Sequence, residues 1–310
     1  QSVVFSDISP NPTDQEIARG KRAFIEGQHD GVIAIGGGSG MDAGKAISLV
    51  GCNDTDLWAF DYDHSESPDL ASESFVPLIC VPTTAGTGAE TESTAMLTDT
   101  EQSVKRCVWH AKQKPLLAVL DPELTLGLPA DLTAWTGCDA LVHAIEAFSV
   151  PDWNPLCDGL ALEAIRLISG SLDRAVTHGE DLEARGAMLV GSCLAGISFL
   201  KGLGLVHAMS HMVGAVCDTH HGLTNAVLLP PVLLFNKSAL LQRSPQISQA
   251  MGLLSQDFEG MYAGVVELLD TLEIPRGLSD LQVPEKKLDI IAEKAFTDAA
   301  RSINPVPSSV

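Results

Sequence analysis

The sequence is poor in positive charge, and this excludes several classes of partner. Lys and Arg number 19 against 40 Asp and Glu, so the 310 residues carry a formal net charge of −21. So acidic a chain repels phosphate backbones and anionic lipid surfaces, which argues against nucleic acid or a membrane as its partner. An anionic ligand must then be held by backbone dipoles and a few placed cations.

The sequence also lacks paired cysteines, a long apolar run and a leader peptide. Its seven cysteines are scattered and form no CxxC motif, as expected of a reduced, cytoplasmic protein. No segment approaches the ~18 uninterrupted apolar residues of a membrane span. The chain begins at Gln1 with no basic segment before an apolar one, so we expect no secretory signal.

Hydrophobic residues make up 45% of the chain, enough for a sizeable core, and their spacing changes once along it. Before Pro129 the pattern predicts alternating strands and helices, with a capping box at Thr13 and Glu16 opening one helix. After Pro129, apolar spacings of three and four residues predict helices only, among them helices over residues 156–176, 240–251 and 285–300. We expect an α/β Rossmann-like dinucleotide domain over residues 1–125 and an all-α domain over residues 126–310. The expected strands cover residues 2–5, 31–35, 76–81, 93–97, 103–110 and 116–120.

A glycine cluster at residues 36–40 follows a buried strand and precedes a helix. This geometry points backbone N–H groups at a phosphate, and the helix dipole favours the anion. Ser39 and Asp42 have the spacing of a capping box, and Lys45 can supply a cation one turn later. The segment matches neither GxGxxG nor the P-loop, so a tight turn without a ligand is the alternative.

A second polar loop follows the strand over residues 76–81. Thr83, Thr84 and Thr87 stand among small residues, and their hydroxyls suit ribose and pyrophosphate. Two such loops at the ends of two strands indicate one ligand crevice. Lys105 on a predicted hairpin adds a cation, with a solvated lysine or a plain surface turn as the alternatives.

Acidic and histidine side chains recur at helical spacing in the second half. Asp139 and His143 are four residues apart, as are His207 and His211, so each pair shares a helix face. A single histidine on an apolar face is usually a hydrogen-bonded core residue. Each buried polar side chain without a partner would cost ~1–3 kcal/mol of stability, and several lie together here. One metal ion can bind them all, as in the metal sites of helix bundles. Oxygen and nitrogen donors suit Fe²⁺, Zn²⁺, Mn²⁺ or Ni²⁺.

Four motifs in this order, GGGSGMDAGK, PTTAGTGAE, TGCDALVHAIEAF and VHAMSHMVG, resemble the iron-containing (group III) alcohol dehydrogenase family. The resemblance covers nearly the whole chain. It implies a dehydroquinate synthase-like architecture, with a Rossmann-like NAD(P) domain, a helical domain and one divalent metal in the cleft between them.

The resemblance also assigns roles. It implies that Asp139, His143, His207 and His221 bind the metal, Fe²⁺ or another divalent ion, and that His211 is a non-ligand histidine beside the nicotinamide. We expect His211 to be catalytic and to relay the alcohol proton, with orientation of a ligand or of the nicotinamide ring as the alternative. His220 is the competitor of His221, which is preferred because Gly222 follows it. The residues implied for the cofactor NAD or NADP are Gly36, Gly37, Gly38, Ser39, Asp42, Thr83, Thr84, Thr87 and Lys105.

The sequence departs from the family at its start, where the family's first strand–helix unit has no counterpart. That unit discriminates NAD from NADP, so the choice stays open. The implied activity is reversible hydride transfer between a small alcohol and its aldehyde or ketone. We also expect the chain to form a homo-oligomer, a dimer. The alternatives are a hydroxy-acid dehydrogenase or transhydrogenase of the same family, a lyase of the dehydroquinate synthase type, and a cofactor-impaired metal-binding remnant. Trp135, Phe148, Phe199 and Cys217 are candidates for the substrate pocket.

Overall fold

A computed structural model describes residues 2–64 and 66–309, and the chain divides into two compact units. The first comprises Gln1–Thr84 and Ala89–Leu124, and the second comprises Ala85–Gly88 and Thr125–Val310. The second polar loop is therefore divided between the units. Thr83 and Thr84 belong to the first unit, and residues 85–88 belong to the second.

Three parallel strands form a sheet in the first unit, in the order β1-β2-β5. They are β1 (Val32–Gly36), β2 (Leu78–Pro82) and β5 (Leu117–Ala118). Ala34 lies opposite Cys80, which in turn lies opposite Ala118. Because the strands are parallel, the glycine cluster after β1 and the threonines after β2 begin at the same edge of the sheet. The predicted α/β fold is confirmed.

Two helices accompany these strands, α1 (Asp14–Glu26) and α2 (Gly38–Val50). The capping box at the start of α1 is present, since Thr13 accepts from the Glu16 amide and Glu16 accepts from the Thr13 amide. A Cβ placed on Gly44 of α2 would lie 2.4 Å from the Cβ of Ala34 in β1. Glycine at this position therefore allows α2 to approach the sheet closely.

An antiparallel hairpin, β3 (Thr94–Asp99) and β4 (Val104–Trp109), completes the regular structure of the first unit. The strand predicted over residues 2–5 is wrong, because this segment forms no strand and leaves Val3 60% and Val4 89% exposed. β-branched residues favour strands only where a partner strand and a packed face are present. The predicted strand over residues 116–120 is real but only two residues long.

β1 lies at one edge of the parallel sheet, and its outward face is apolar. Ile33 is 64% exposed and Ile35 is 62% exposed, and both point to the same face because they are two residues apart. Within the described residues, β2 is the only strand paired with β1.

The second unit is helical. α3 is central, with Leu141 and Ile145 fully buried, and it packs against α4, α6 and α8. The helices are α3 (Ala130–Ser149), α4 (Pro155–Ser169), α5 (Leu172–Thr177), α6 (Leu182–Ser198), α7 (Leu205–Cys217), α8 (His221–Phe235), α9 (Lys237–Leu240), α10 (Ser244–Ala250), α11 (Phe258–Thr271) and α12 (Leu288–Phe296).

Three long predicted helices are interrupted. The helix predicted over residues 156–176 ends at Gly170, a residue of low helix propensity, and resumes as α5. The helix predicted over residues 240–251 breaks before Pro245, which has no N–H for a helical bond and so stands in the first turn of α10. Of the helix predicted over residues 285–300, only α12 is α-helical, with 3-10 turns on either side.

One helical segment in the described part of the chain, Leu182–Lys201, is as long and apolar as a membrane span. It has 20 residues and a mean hydropathy of 1.2, and half of it is buried inside the protein. A core helix of a globular protein has the same length and composition, so this segment is weak evidence for a membrane.

Charged side chains cluster in the interior of the first unit around Lys45. Lys45 is fully buried, and its Nζ lies 2.8 Å from the Thr94 carbonyl oxygen and 3.4 Å from Asp42 Oδ1. Glu92 accepts a 2.5 Å hydrogen bond from Thr94 Oγ1. Burial, helped by the charges of Asp42 and Glu90, raises the pKa of Glu92 to about 7.

We expect Glu92→Gln to flatten the pH dependence of stability. The pKa of Glu92 rises from 4.5 in its ordinary state to about 7 in the folded protein, so the folded state binds more protons between these values. The wild-type free energy of unfolding therefore falls as pH rises through this window, and the whole penalty is present above it. At ~1.4 kcal/mol per pKa unit, the variant gains at most about 3.5 kcal/mol at alkaline pH.

Urea unfolding at pH 5 and pH 8 measures this gain. Glu101→Gln, at an exposed position in the β3–β4 turn, is the matched control. Equal stability changes for Glu92→Gln at both pH values would contradict the expectation.

Candidate active site

The predicted metal ligands lie on three helices of the second unit. Asp139 and His143 are on one face of α3, with His143 Nε2 3.8 Å from Asp139 Oδ1. The same oxygen lies 3.8 Å from Nε2 of His207 on α7 and 3.6 Å from Nε2 of His221 at the start of α8. Each side chain offers one donor atom, and all four atoms lie within 4.8 Å of one another.

This donor set fits a divalent ion of the iron or zinc type. One carboxylate oxygen and three imidazole nitrogens are the donors such ions prefer. Donors about 2.1 Å from a tetrahedral ion lie about 3.4 Å apart. The 3.6 Å and 3.8 Å separations are close to that spacing, so the side chains need only a small adjustment to bind one ion.

Burial keeps the inner histidines neutral. It lowers the pKa of His143, and it lowers the pKa of His207 well below its ordinary value, with the neighbouring imidazoles adding to the effect. A neutral imidazole has a lone pair for a metal, whereas the protonated ring has none.

Glu146 orients His207, a role that was not predicted from the sequence. Its Oε2 lies 2.6 Å from His207 Nδ1, and its Oε1 accepts a 2.7 Å hydrogen bond from the Val206 amide. Burial raises the pKa of Glu146 to about 7, although these backbone donors lower it in part. With Nδ1 engaged, Nε2 of His207 is directed at the ligand cluster. A carboxylate placed three residues after His143 in an apolar helix was the available signal.

His220 and His221 occupy different surroundings. His221 is part of the ligand cluster. His220 instead caps α8, accepting from the Leu223 amide through Nδ1, and its ring lies 4.9 Å from that of Trp135. The structure therefore places the second of the two histidines, not the first, beside Asp139.

His211 lies one turn after His207 on α7 and is exposed. Its ring is stacked on that of His221, with centroids 5.6 Å apart. Its Nδ1 lies 2.9 Å from Oδ2 of Asp298, a residue 87 positions away that was not predicted from the sequence either. Burial raises the pKa of Asp298, but the hydrogen bond and charge of His211 outweigh this and leave it lowered.

The four candidate pocket residues separate. Phe199 has its ring 4.9 Å from that of His143, and Trp135 contacts His220. Phe148 is 2% exposed within the hydrophobic core, and Cys217 packs with a smaller cluster around Val213. Only Phe199 and Trp135 therefore lie beside the histidines.

The N-terminus of α2, in the glycine cluster, is not capped as predicted. Gly37 is the N-cap of α2, without a side-chain hydrogen bond, so the predicted capping box of Ser39 and Asp42 is wrong. Asp42 Oδ2 accepts instead from the Met96 amide. Lys45 is committed to Asp42 and Thr94, so its expected role as a phosphate cation is wrong too. Gly36 has φ 157°, a conformation that favours glycine.

The remaining cofactor candidates of the first unit lie around this cluster. The Thr83 amide donates to the Gly36 carbonyl at 2.9 Å. A Cβ on Gly37 would lie 3.4 Å from the side chain of Thr84. Asn11 connects two further candidates, Ser39 and Lys105. Its backbone N–H donates to Ser39 Oγ at 3.4 Å, and its side-chain Oδ1 accepts from Lys105 Nζ at 2.8 Å. Thr87 belongs to the second unit.

We expect Gly37→Val to weaken NAD(H) binding while leaving the metal content unchanged. Valine would place branched carbons against Thr84, and it would crowd the backbone N–H groups that begin α2. Calorimetric titration with NADH measures the affinity, and Gly127→Val is the control because a Cβ there meets nothing within 4 Å. Wild-type affinity in Gly37→Val would mean that the cluster is only a turn.

Comparison with known proteins extends these observations to the whole chain. The family description "Iron-containing alcohol dehydrogenase" matches residues 1–122, and "Fe-containing alcohol dehydrogenase family, C-terminal" matches residues 133–310. An NAD-dependent methanol dehydrogenase of Bacillus methanolicus is 38% identical, with 99% of this chain and 81% of that protein covered. A 4-hydroxybutyrate dehydrogenase of Cupriavidus necator is 36% identical, with 100% and 82% covered.

The fold comparison agrees with the sequence comparison. The crystal structure of a 1,3-propanediol oxidoreductase superposes with a TM-score of 0.93 at 37% identity, covering 99% of this chain and 81% of that one. The family match spans both units, and the donor set of the second unit suits the metal in the family's name. This chain belongs to the iron-containing alcohol dehydrogenase family.

Proposed function

We propose that this chain catalyses reversible hydride transfer between a small alcohol and its aldehyde or ketone, using NAD or NADP and one Fe²⁺ or Zn²⁺ ion. The observation that carries the proposal is the set of four donor atoms within 4.8 Å of one another in the second unit. When bound, the ion supplies a Lewis acid and the nicotinamide supplies the hydride acceptor.

The ligands in this proposal are Asp139, His143, His207 and His221. The carboxylate brings the one negative charge, and burial keeps the imidazoles of His143 and His207 neutral. Glu146 supports the set by binding His207 Nδ1, which fixes the ring orientation.

His211 handles the alcohol proton. It is exposed and stands next to His221 without belonging to the donor set. Asp298 engages its Nδ1, so Nε2 is the nitrogen that exchanges a proton with the alcohol and then with water. This role makes His211 the catalytic residue and Asp298 its positioning partner.

The two loops of the first unit bind the cofactor. Gly36, Gly37, Gly38 and Ser39 bring backbone N–H groups at the start of α2 to the pyrophosphate. Thr83, Thr84 and Lys105 offer donors near the same loop, and we assign Asp42 and Thr87 to the cofactor set as well. Within the described residues, the seven cysteines are thiols and form no disulfide, which supports a cytoplasmic location. We propose a homodimer, to be tested by light scattering.

The experiment is a substrate panel after anaerobic loading with Fe²⁺ or Zn²⁺. Primary alcohols, diols, 4-hydroxybutyrate and the matching aldehydes are assayed with NAD(H) and NADP(H) by nicotinamide absorbance. The proposal expects turnover of small neutral alcohols. Preference for the acid would favour a hydroxy-acid dehydrogenase, which the 36% identical relative from Cupriavidus necator makes the second candidate. No NADH binding by fluorescence, with metal still bound, would leave only a metal-binding remnant.

A further inference from the structure

Asn225 occupies the centre of the ligand cluster although it is not one of the ligands. It lies on α8 one turn after His221 and is completely buried. Its Nδ2 lies 2.6 Å from Asp139 Oδ1, 3.2 Å from His207 Nε2 and 3.1 Å from His221 Nε2. One amide nitrogen therefore contacts three of the four donor atoms.

The hydrogen-bond partners decide which end of the amide faces the cluster. His207 Nδ1 faces the Glu146 carboxylate, which accepts, so Nε2 of His207 presents its lone pair. The Ser210 hydroxyl donates to the His221 carbonyl oxygen at 3.4 Å, so its oxygen accepts from His221 Nδ1 at 3.2 Å and the lone pair of His221 is on Nε2. An amide nitrogen donates, whereas an amide oxygen would repel those lone pairs and the carboxylate. Within the described residues nothing donates to Asn225 Oδ1. In this orientation the amide nitrogen donates to the ligand side chains, and Asn225 Oδ1 is left as a buried acceptor without a hydrogen bond from the described residues.

The donated hydrogens offset a repulsion that the site cannot avoid. A carboxylate and several imidazole lone pairs converge in a buried space, where electrostatic interactions are strong. Without a positive or donor group among them, these side chains lower their energy by turning apart. The amide keeps them together while presenting no charge of its own.

We propose that Asn225 is a positioning residue of the metal centre, which holds Asp139, His207 and His221 converged before the ion binds. The inference rests on the ligand set of the proposed function. The amide has two hydrogens, one for Asp139 and one shared between the two Nε2 atoms. An imidazole nitrogen has a single lone pair, so each Nε2 gives up its contact with Asn225 when it binds the ion. Asp139 has further lone pairs and keeps the hydrogen bond. Preorganisation of this kind raises affinity by removing the cost of rearrangement.

Two substitutions at Asn225 test the proposal, with cobalt as the probe because Co²⁺ has visible absorption bands that report its coordination. Asn225→Ala removes the donor, and we expect Co²⁺ affinity to fall ~10–100-fold in chelator competition, with an altered spectrum. Asn225→Asp keeps the shape but replaces the donor with a second carboxylate. We expect Asn225→Asp to destabilise the metal-free protein. The increase in Tm on adding Co²⁺ should be larger for Asn225→Asp than for the wild type, and smaller for Asn225→Ala.

Asn236→Ala is the matched control, because Asn236 is a buried asparagine at the other end of α8 that pairs with Asn304. It should lose stability but keep the wild-type Co²⁺ affinity and spectrum. A merely structural role for Asn225 would shift Tm equally with and without Co²⁺ in both Asn225 variants, and that result would overturn the proposal. Wild-type Co²⁺ affinity in Asn225→Ala would overturn it as well. If His207→Ala also retains Co²⁺, the ligand set itself is wrong; if only Asn225→Ala does, the ligand set stands.

Discussion

His207→Ala is expected to lower the affinity of the protein for Fe²⁺ or Zn²⁺ at least ~10–100-fold, the loss that follows when only a residue supporting a ligand is removed. Its Nε2 lies 3.8 Å from Asp139 Oδ1 and 3.2 Å from Asn225 Nδ2, at the centre of the donor set. Alanine also leaves the buried Glu146 carboxylate without its imidazole partner. Three protein donors then remain, and water, a weaker ligand than a placed imidazole, takes the position of His207.

Elemental analysis after identical loading and desalting measures the metal content of the wild type and the variant. His178→Ala is the control, because His178 is an exposed histidine of the same unit whose ring contacts the adjacent Thr177 hydroxyl. Equal metal content in wild type and His207→Ala would remove His207 from the ligand set.

Turnover by His211→Ala is expected to fall ~10²–10⁴-fold, the usual contribution of a general acid–base residue. The metal content should stay at the wild-type level, since His211 is bound to Asp298 and not to the donor set. Imidazoles as a class change protonation between pH 5 and 8. A proton-transferring His211 therefore predicts that alcohol oxidation by the variant loses much of its pH dependence near neutrality.

Metal content and pH–rate profiles on the same preparations separate the possible outcomes. A lower rate with an unchanged profile would show that His211 only orients a neighbour. Loss of the ion in His211→Ala would mean that His211 is a ligand and that His221 has been misassigned.

Local patterns predicted the parts of the fold that neighbouring residues determine. The capping box at Thr13, the strand–glycine–helix segment at Gly36 and the Asp139–His143 pair each depend on residues within about one helical turn or loop. Such features are readable because their geometry follows from backbone periodicity alone.

The parts that could not be predicted depend on contacts between distant segments. The position of Lys45 in the helix suggested a phosphate ligand. In the structure its Nζ donates instead to the carbonyl oxygen of Thr94, 49 residues away. Asp298 reaches His211 across 87 residues, and Asn225 reaches Asp139 across 86. The full ligand set likewise came from the resemblance, because spacing alone could not choose between His220 and His221.

The outer face of β1 has a practical consequence for work with this chain in solution. An edge strand presents unpaired N–H and C=O groups, and natural proteins protect such edges with charges, prolines or bulges. Here Ile33 and Ile35 stand exposed on the strand instead. As the protein concentration rises, strands of different molecules can pair at this edge and aggregate. Dilute solutions and the substitution Ile35→Lys are therefore expected to reduce aggregation beyond the proposed dimer.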